Sequence, residues 1–188
     1  MKALEKIYNI NSLIISFSYL KQKYRNKNLR LEIIGEGSEK ENLKAIVDNL
    51  NLNDSVIFKG KIEHSQIADC INNFDVLVNL SEYESFGVCV VEAMACGVPV
   101  VVSNAAGLNE VVNSKACGSI VEAHNIGQIV FALEKYISCE GLRTAVAANA
   151  LIRVKNLYNW ENNLQQMVHV YQDVLGNINV FEPVLKTA

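Results

Sequence analysis

Residues 75–102 read DVLVNLSEYESFGVCVVEAMACGVPVVV, with two apolar runs on either side of a polar turn and a helical pattern. The apolar run that ends at Leu80 predicts a β-strand, and a second run over residues 98–102 predicts another. A short polar turn and a helical pattern over residues 86–96 lie between them. Strand, turn, helix and strand in this order form a βαβ unit, whose two strands run parallel in one sheet.

The sequence on both sides repeats this alternation of short apolar runs and helical patterns. Strands are predicted at residues 31–34, 56–58 and 119–121, and helices at residues 39–50, 65–73 and 127–138. The repeated alternation predicts an α/β fold with a Rossmann-like parallel sheet and helices on both faces. The continuous apolar strands agree, because parallel strands are buried on both sides.

Three further helical patterns lie outside the alternation, at residues 11–24, 141–157 and 160–175. A chain of 188 residues is long enough for one domain with a sizeable core. Only two prolines and ten glycines argue against a long disordered linker. We therefore predict one domain over residues 1–176, with extra C-terminal helices, and a frayed tail over residues 177–188.

Charge and cysteine content exclude several classes of function. A formal net charge of −3 gives no general attraction to nucleic acid or to anionic membranes. The five cysteines include no CxxC pair and no zinc-ligand spacing, which predicts buried free thiols, no metal site and a cytoplasmic location. His64, His124 and His169 stand alone in polar contexts and are assigned no role. No run approaches 18 uninterrupted apolar residues, so no transmembrane helix is predicted.

The turn and helix start near residue 85 hold the candidate binding groups. Ligands of parallel sheets bind beyond the carboxyl ends of the strands, which is where this turn lies. Ser85 is predicted to cap the helix and to belong to the site. Gly87 in the first turn would let a ligand approach the backbone closely. The free amides at the helix N-terminus then offer a site for an anion.

Two glutamates flank this predicted anion site. Glu92 lies seven residues after Ser85 on the same helix face, about 10 Å along the axis. With a diphosphate on the first turn, Glu92 would lie near a ribose and Glu84 near a sugar. A solvated glutamate is the alternative interpretation for either residue alone. An unpaired carboxylate in the apolar run 88–95 is costly, however, which favours a ligand contact for Glu92.

The spacing from Glu84 to Glu92, with the intervening Ser-Phe-Gly and the following Ala-Met-Ala-Cys-Gly-Val-Pro-Val-Val, resembles a known signature. It is similar to the glutamate-x7-glutamate motif of the retaining GT-B glycosyltransferases, the glycosyl transferases group 1. The resemblance extends over about residues 2–175. Its other matching segments are residues 31–37, 56–62, 74–78, 107–112 and 158–161.

The resemblance implies a role for each residue of the signature. Glu92 would bind the ribose hydroxyls and Glu84 the donor sugar. The backbone amides around Phe86, Gly87 and Val88 would hold the distal phosphate. The donor would be a nucleoside diphosphate sugar, bound as substrate and not as a cofactor.

Outside the signature, Gly35 and Gly37 would form the glycine turn beside the nucleotide, and the backbone at Ile62 would pair with the base. This glycine pair lacks the third glycine of a dinucleotide fingerprint, so NAD binding is not expected. The family places a basic pair near the start of this lobe to neutralise the leaving diphosphate. Lys2 and Lys6 lie in that region, four residues apart instead of the usual five.

A complete enzyme of this type has a second α/β lobe, which precedes the donor lobe and binds the acceptor. The resemblance therefore implies that the N-terminal acceptor lobe is absent here, and that a missing segment or a partner chain supplies it. Peripheral membrane association is expected only through that lobe. In the family, the last helix crosses back to pack on it. The apolar stripe of residues 164–175 must otherwise fold onto its own lobe, find a partner or stay exposed.

The expected reaction is transfer of a hexose-type sugar to an acceptor hydroxyl with retention of configuration and without a metal ion. Polysaccharide or lipopolysaccharide synthesis is the expected setting. Two alternatives stay open at this point, namely a non-catalytic nucleotide-sugar-binding partner subunit and a truncated inactive fragment. A GT-B epimerase is disfavoured by the spacing from Glu84 to Glu92, and a phosphorylase by the lack of a recognisable pyridoxal lysine.

Overall fold

The computed structural model describes residues 3–177. Its elements are α1 (Ile10–Lys23), β1 (Leu31–Ile34), α2 (Lys40–Asn49), β2 (Val56–Gly60), α3 (Ile67–Ile71), β3 (Leu77–Asn79), α4 (Val88–Ala95), β4 (Val100–Ser103), α5 (Ala106–Val112), β5 (Ser119–Val121), α6 (Ile126–Ser138), α7 (Glu140–Leu157) and α8 (Trp160–Asn177). Short 3-10 turns at Lys6–Tyr8 and His64–Gln66 precede α1 and α3. Of the predicted tail, only Asn177 is described, as the last residue of α8.

The strands run parallel, which confirms the predicted fold class, but they form two groups. β1 pairs with β2, while β3, β4 and β5 form a second sheet in that order. Within the described chain, no strand pairing joins β1 to β3. A cavity of about 640 Å³ lies between these two strands instead. The sequence pattern predicts each strand separately, and strand adjacency is decided by tertiary packing.

Helices cover both faces of the three-stranded sheet. Successive side chains of β4 point to opposite faces and pack against different helices. Val100 and Val102 face a cluster that includes Met94 of α4, whereas Val101 faces a cluster that includes Ile129 of α6. All five side chains are completely buried. Each contributes about 1.5–3 kcal/mol through burial, so this core fixes the carboxyl ends of β3 and β4.

The last helix, α8, lies exposed along its described length. The apolar side chains of the predicted stripe are each 45–67% exposed, namely Leu164, Met167, Val168, Tyr171 and Leu175. The stripe therefore does not fold onto its own lobe, and the other two alternatives, a partner or an exposed surface, stay open. No helix between residues 3 and 177 is long and apolar enough to cross a membrane.

Candidate functional site

A buried polar network fixes the start of the loop between β3 and α4. The side-chain oxygen of Asn79 accepts hydrogen bonds from the backbone N–H and the hydroxyl of Ser81, at 3.2 and 2.6 Å. The hydroxyl of Ser103 donates to the carbonyl oxygen of Ser81 at 2.5 Å. These three residues are at most 4% exposed. Since buried polar groups need partners, the network leaves the loop little freedom where it departs from the sheet.

The loop ends at Gly87, whose left-handed φ of 90° makes it the N-cap of α4. The predicted cap, Ser85, is wrong, because α4 begins at Val88 and Ser85 lies exposed in the loop before it. A Cβ on Gly87 would lie 2.6 Å from the side chain of Leu108. Glycine is thus required here by both conformation and space. No side chain of residues 3–177 caps this helix. Val90 and Val91 donate their N–H groups to the carbonyl oxygen of Gly87, so the amides of Gly87, the exposed Val88 and Cys89 are the ones left for a ligand.

Two contacts hold the middle of the loop. Gly107 at the start of α5 donates its N–H to the carbonyl oxygen of Glu84 at 3.1 Å. The ring of Phe86 packs edge-to-face on Tyr158, with centroids 5.4 Å apart. These two contacts, one to α5 and one to Tyr158, therefore hold the loop backbone in place.

The two signature glutamates are both partly buried, Glu84 in this loop and Glu92 in the helix that follows it. The carboxylate of Glu84 lies 3.5 Å from the hydroxyl of Ser81. Glu92 sits in the middle of α4, and none of residues 3–177 donates a hydrogen bond to its carboxylate. Burial, and then the negative charge of Glu92, raise the pKa of the Cys96 thiol one turn further along. The Glu92 carboxylate is thus available to a ligand.

We expect Glu92→Gln to speed alkylation of Cys96 by iodoacetamide about two- to fivefold at pH 8, because one cause of its raised pKa is removed and the thiolate is the reactive form. Peptide mass spectrometry would follow the rate, with the exposed Cys139 as the internal reference. Glu82→Gln serves as the control substitution. An unchanged ratio of the two rates in Glu92→Gln would show that the carboxylate does not face Cys96.

The remaining residues that were predicted to contact the nucleotide lie just after β1 and β2. Gly35 has a φ of 138° and donates its N–H to the carbonyl oxygen of Gly60 at 2.9 Å. A Cβ on Gly37 would lie 2.4 Å from the backbone nitrogen of Leu4, so Gly37 allows the N-terminal segment to cross here. Ile62 is partly buried in the segment after β2. The close approach of Leu4 thus explains why residue 37 is a glycine. No hydrogen bond among the described residues links Gly35, Gly37 or Ile62 to Glu92.

The predicted basic pair lies only partly within the described chain. Lys2 falls outside the described residues. Lys6 is exposed in the first 3-10 turn. The carbonyl oxygen of Ile7 accepts a hydrogen bond from the N–H of Glu82 at 2.8 Å, which brings this turn to the edge of the β3–α4 loop. The structure therefore places Lys6 beside the loop that carries Glu84.

An open groove of about 710 Å³ adjoins the loop and was not predicted. It is lined by Glu82 and Tyr83, by Asn104 after β4, and by residues 122–126 after β5. His124 Nε2 lies 3.1 Å from a carboxylate oxygen of Glu82. Position after β5 was the available signal, since each of these segments follows the carboxyl end of a strand. Glu82 and His124 thus join the candidate site.

Metal binding finds no support in the part of the chain that is described. Residues 3–177 contain no group of three or more His, Cys, Asp or Glu side chains that could hold an ion. The five cysteines are free, and Cys89 and Cys117 are buried. That the site works without a metal stays a prediction.

Comparison with known proteins identifies the family. The model of glycosyl transferases group 1 matches residues 1–153. An uncharacterised glycosyltransferase of Methanocaldococcus jannaschii is 32% identical over 145 residues, which are 77% of this chain and 37% of that protein. The chain thus spans little more than a third of the length of this relative.

Solved structures agree in fold. The C-terminal domain of the glycosyl transferase group 1 family protein LpcC from Francisella tularensis has a TM-score of 0.77 at 26% identity, over 84% of this chain and 83% of that one. Anabaena HepE in complex with UDP and glucose has a TM-score of 0.81 at 20% identity, over 92% of this chain and 47% of that one. The chain therefore belongs to glycosyl transferases group 1 and has the fold of the C-terminal domain of these GT-B enzymes.

Proposed function

We propose that this domain binds a nucleoside diphosphate sugar and forms the donor half of a retaining glycosyltransferase. One observation carries the proposal. The uncapped N-terminus of α4 lies between two partly buried carboxylates, one of which, Glu92, accepts no hydrogen bond within the described chain. Such an arrangement offers donors for a diphosphate and, to either side, acceptors for hydroxyl groups.

The donor is proposed to lie across the loop and helix. The amides around Phe86, Gly87 and Val88 hold the distal phosphate, where the helix dipole favours negative charge. Glu92 accepts hydrogen bonds from both ribose hydroxyls, and Glu84 accepts them from the donor sugar. Ser85, which is exposed in the loop, is also proposed to contact the donor. HepE, whose structure holds UDP and glucose, supports this class of donor for the shared fold.

The base is proposed to lie beyond the ribose, toward the segments that follow β1 and β2. Gly35 and Gly37 leave the backbone accessible there, and the backbone at Ile62 pairs with the base. Backbone pairing requires no particular side chain at Ile62. The identity of the base is therefore a question for binding measurements.

The proposed reaction breaks the bond between the sugar and the diphosphate and forms a bond to the acceptor oxygen on the same face of the sugar, while the hydroxyl proton passes to the departing diphosphate. Negative charge develops on the departing diphosphate. The α4 amides and the basic pair Lys2 and Lys6 stabilise that charge, which lowers the barrier without a metal ion. Closure of an acceptor lobe over the site excludes water and suppresses hydrolysis.

The acceptor lobe is proposed to come from a segment or partner chain beyond residues 1–188. The exposed apolar stripe of α8, which includes Met167 and Tyr171, offers a surface for it. Polysaccharide or lipopolysaccharide synthesis on the cytoplasmic side is the proposed setting.

Calorimetric titration of the chain with UDP, GDP and ADP tests the proposal. We expect one of the three to bind, and the matching nucleoside monophosphate to bind at least about tenfold more weakly, because hydrogen bonds to a charged group are worth about 1.5–3 kcal/mol each. Equal affinity for the monophosphate and the diphosphate would show that the distal phosphate does not contact α4. Failure of a folded chain to bind any of the three at millimolar concentration would contradict the proposal.

A further inference from the structure

Residues 21–30 read KQKYRNKNLR and hold the densest positive charge of the chain. Five of these ten residues are Lys or Arg, and none is acidic. The formal net charge of −3 conceals this segment, because the rest of the chain carries a charge of −8 once these five cations are set aside. The net charge alone therefore does not describe the surface that a charged partner would meet.

The segment ends α1 and leads into β1, and α6 packs beside it in one apolar cluster. Lys23 forms a salt bridge with Glu134 of α6 at 2.6 Å, and Lys27 donates a hydrogen bond to a carbonyl oxygen at the end of α6 at 2.8 Å. Lys135 has its Nζ 4.3 Å from the centre of the Phe131 ring. The C-terminal parts of α1 and α6 thus form one surface. We refer to it as the basic face, and it consists of Tyr19, Lys23, Arg25, Lys27, Arg30, Phe131 and Lys135.

Most cations of the basic face have no carboxylate partner. Among residues 3–177, only Lys23 of this face forms a salt bridge, and the side chains of Arg25, Lys27, Arg30 and Lys135 are exposed. The helix dipole accounts for a cation in the last turn of a helix, such as Lys23 or Lys135. It does not account for Arg30, which lies seven residues beyond α1. The uncompensated charge therefore favours an anionic partner.

Aromatic rings lie among these cations. Tyr19, one turn before Lys23 on α1, is 55% exposed, and Phe131 on α6 is 60% exposed. Tyr24 lies between Lys23 and Lys27, whose Nζ atoms are 5.9 and 5.8 Å from the centre of its ring. Exposed rings beside Lys and Arg are typical of surfaces that enter the headgroup region of a bilayer. The rings therefore favour a lipid surface over other anionic partners.

The basic face lies at the opposite edge of the sheet from the candidate site. α1 begins just after the 3-10 turn that contacts the β3–α4 loop, and α6 begins at Ile126, which lines the groove beside that loop. Both helices then run antiparallel to the strands, and their 13–14 residues span about 20 Å. A partner on the basic face therefore leaves the candidate site open.

We propose that the basic face docks this domain reversibly onto an anionic lipid bilayer. Each Lys or Arg near such a surface raises partitioning about fivefold through attraction to the lipid phosphates. Tyr19 and Phe131 enter the headgroup region, and the candidate site lies on the side away from the bilayer. This contact comes in addition to the membrane association expected of the acceptor lobe. It does not depend on which ligand the candidate site binds.

Cosedimentation with vesicles tests the proposal, with pure phosphatidylcholine and an equimolar mixture of phosphatidylcholine and phosphatidylglycerol as the two probes. In about 0.1 M salt, we expect at least about a hundredfold tighter binding to the mixed vesicles, and most of this preference should disappear in about 1 M salt. The apolar stripe of α8 carries no Lys or Arg, so its own adsorption should be equal on both. Equal binding to both vesicles would overturn the proposal.

A pair of double variants localises the contact. Arg25→Gln with Lys135→Gln removes two unpaired cations and should weaken binding to the mixed vesicles about 25-fold. Lys115→Gln with Lys155→Gln removes the same charge from exposed positions beside helices that pack on the other face of the sheet. This control should change binding less than about twofold. Circular dichroism would show that both are folded. Equal losses in the two pairs, or no loss in either, would overturn the assignment to the basic face.

A third comparison separates a bilayer from a nucleic acid. Phe131→Gln should weaken binding to the mixed vesicles about fivefold, because the ring no longer enters the headgroup region. Ile152→Gln, at an exposed apolar position on α7, is the matched control and should not weaken it. Unchanged binding in Phe131→Gln would overturn the proposal. So would displacement of the chain from the vesicles by duplex DNA at equal phosphate concentration, which would assign the basic face to nucleic acid. Nucleotide titration involves none of these residues, so failure here leaves the proposed function to its own test.

Discussion

Glu92→Ala is expected to weaken binding of the cognate nucleoside diphosphate by about a hundredfold, as measured by calorimetry. The carboxylate is proposed to accept two charge-assisted hydrogen bonds from the ribose, each worth about 1.5 kcal/mol or more. Glu92 receives no hydrogen bond from residues 3–177, so its removal leaves no protein donor unsatisfied. Alanine also favours the helix, so α4 should remain intact.

A double-mutant cycle separates the ribose contact from a general loss of charge. The 2′-deoxy form of the same nucleotide should bind the unmodified chain more weakly than the ribonucleotide does. In Glu92→Ala, the two nucleotides should bind with equal affinity, because the acceptor of the 2′-hydroxyl is gone. Glu41→Ala, an exposed glutamate on α2, is the matched control and should leave both affinities unchanged. If Glu92→Ala prefers the ribonucleotide over the 2′-deoxy form as strongly as the unmodified chain does, the ribose does not contact Glu92.

The strands and the helix of the central βαβ unit were predictable because their sequences carry strong local signals. The apolar run over residues 98–102 locates β4 to within two residues, and β5 at Ser119–Val121 matches its prediction residue for residue. β4 lies in the buried middle of the three-stranded sheet, where its apolar run is continuous, and β5 is a short apolar run bounded by Gly118 and Glu122.

Local signals were weaker at the boundaries. α5 is absent from the sequence-based prediction, because its seven residues are few for a helical pattern and include Gly107. Ser85 has the usual chemistry of an N-cap, yet the chain caps α4 with Gly87 in a left-handed conformation. Side-chain chemistry predicts a cap only where the backbone can adopt the usual cap geometry. Here the N-cap is Gly87, with a left-handed backbone and no room for a Cβ beside Leu108.

The candidate site divides in the same way. Glu84 and Glu92 are linked by one loop and one helix, so their spacing along the sequence was enough to relate them. Glu82 and His124 lie on loops after different strands and meet only through the fold. The open space between β1 and β3 likewise follows from strand adjacency, which no local pattern encodes.

Gly107→Ala is expected to lower the free energy of unfolding by about 2–3 kcal/mol, measured by chemical denaturation. The new Cβ would lie 2.5 Å from the backbone carbon and oxygen of Ser85 and 2.6 Å from the carbonyl oxygen of Glu84. Backbone atoms cannot move aside as a flexible side chain can, so α5 and the loop must separate. The same shift would displace the amides at the start of α4, so nucleotide affinity should fall as well.

Gly141→Ala is the matched control, because Gly141 and Gly107 are both the second residue of a helix. Nothing lies within 4 Å of a Cβ on Gly141, so alanine there should raise the free energy of unfolding by about 0.5–1 kcal/mol through helix propensity alone. The opposite signs of the two changes isolate the steric contact from the propensity. If both substitutions stabilise the chain, the close approach of α5 to the loop does not exist in solution, and the loop that carries Glu84 is not held as described.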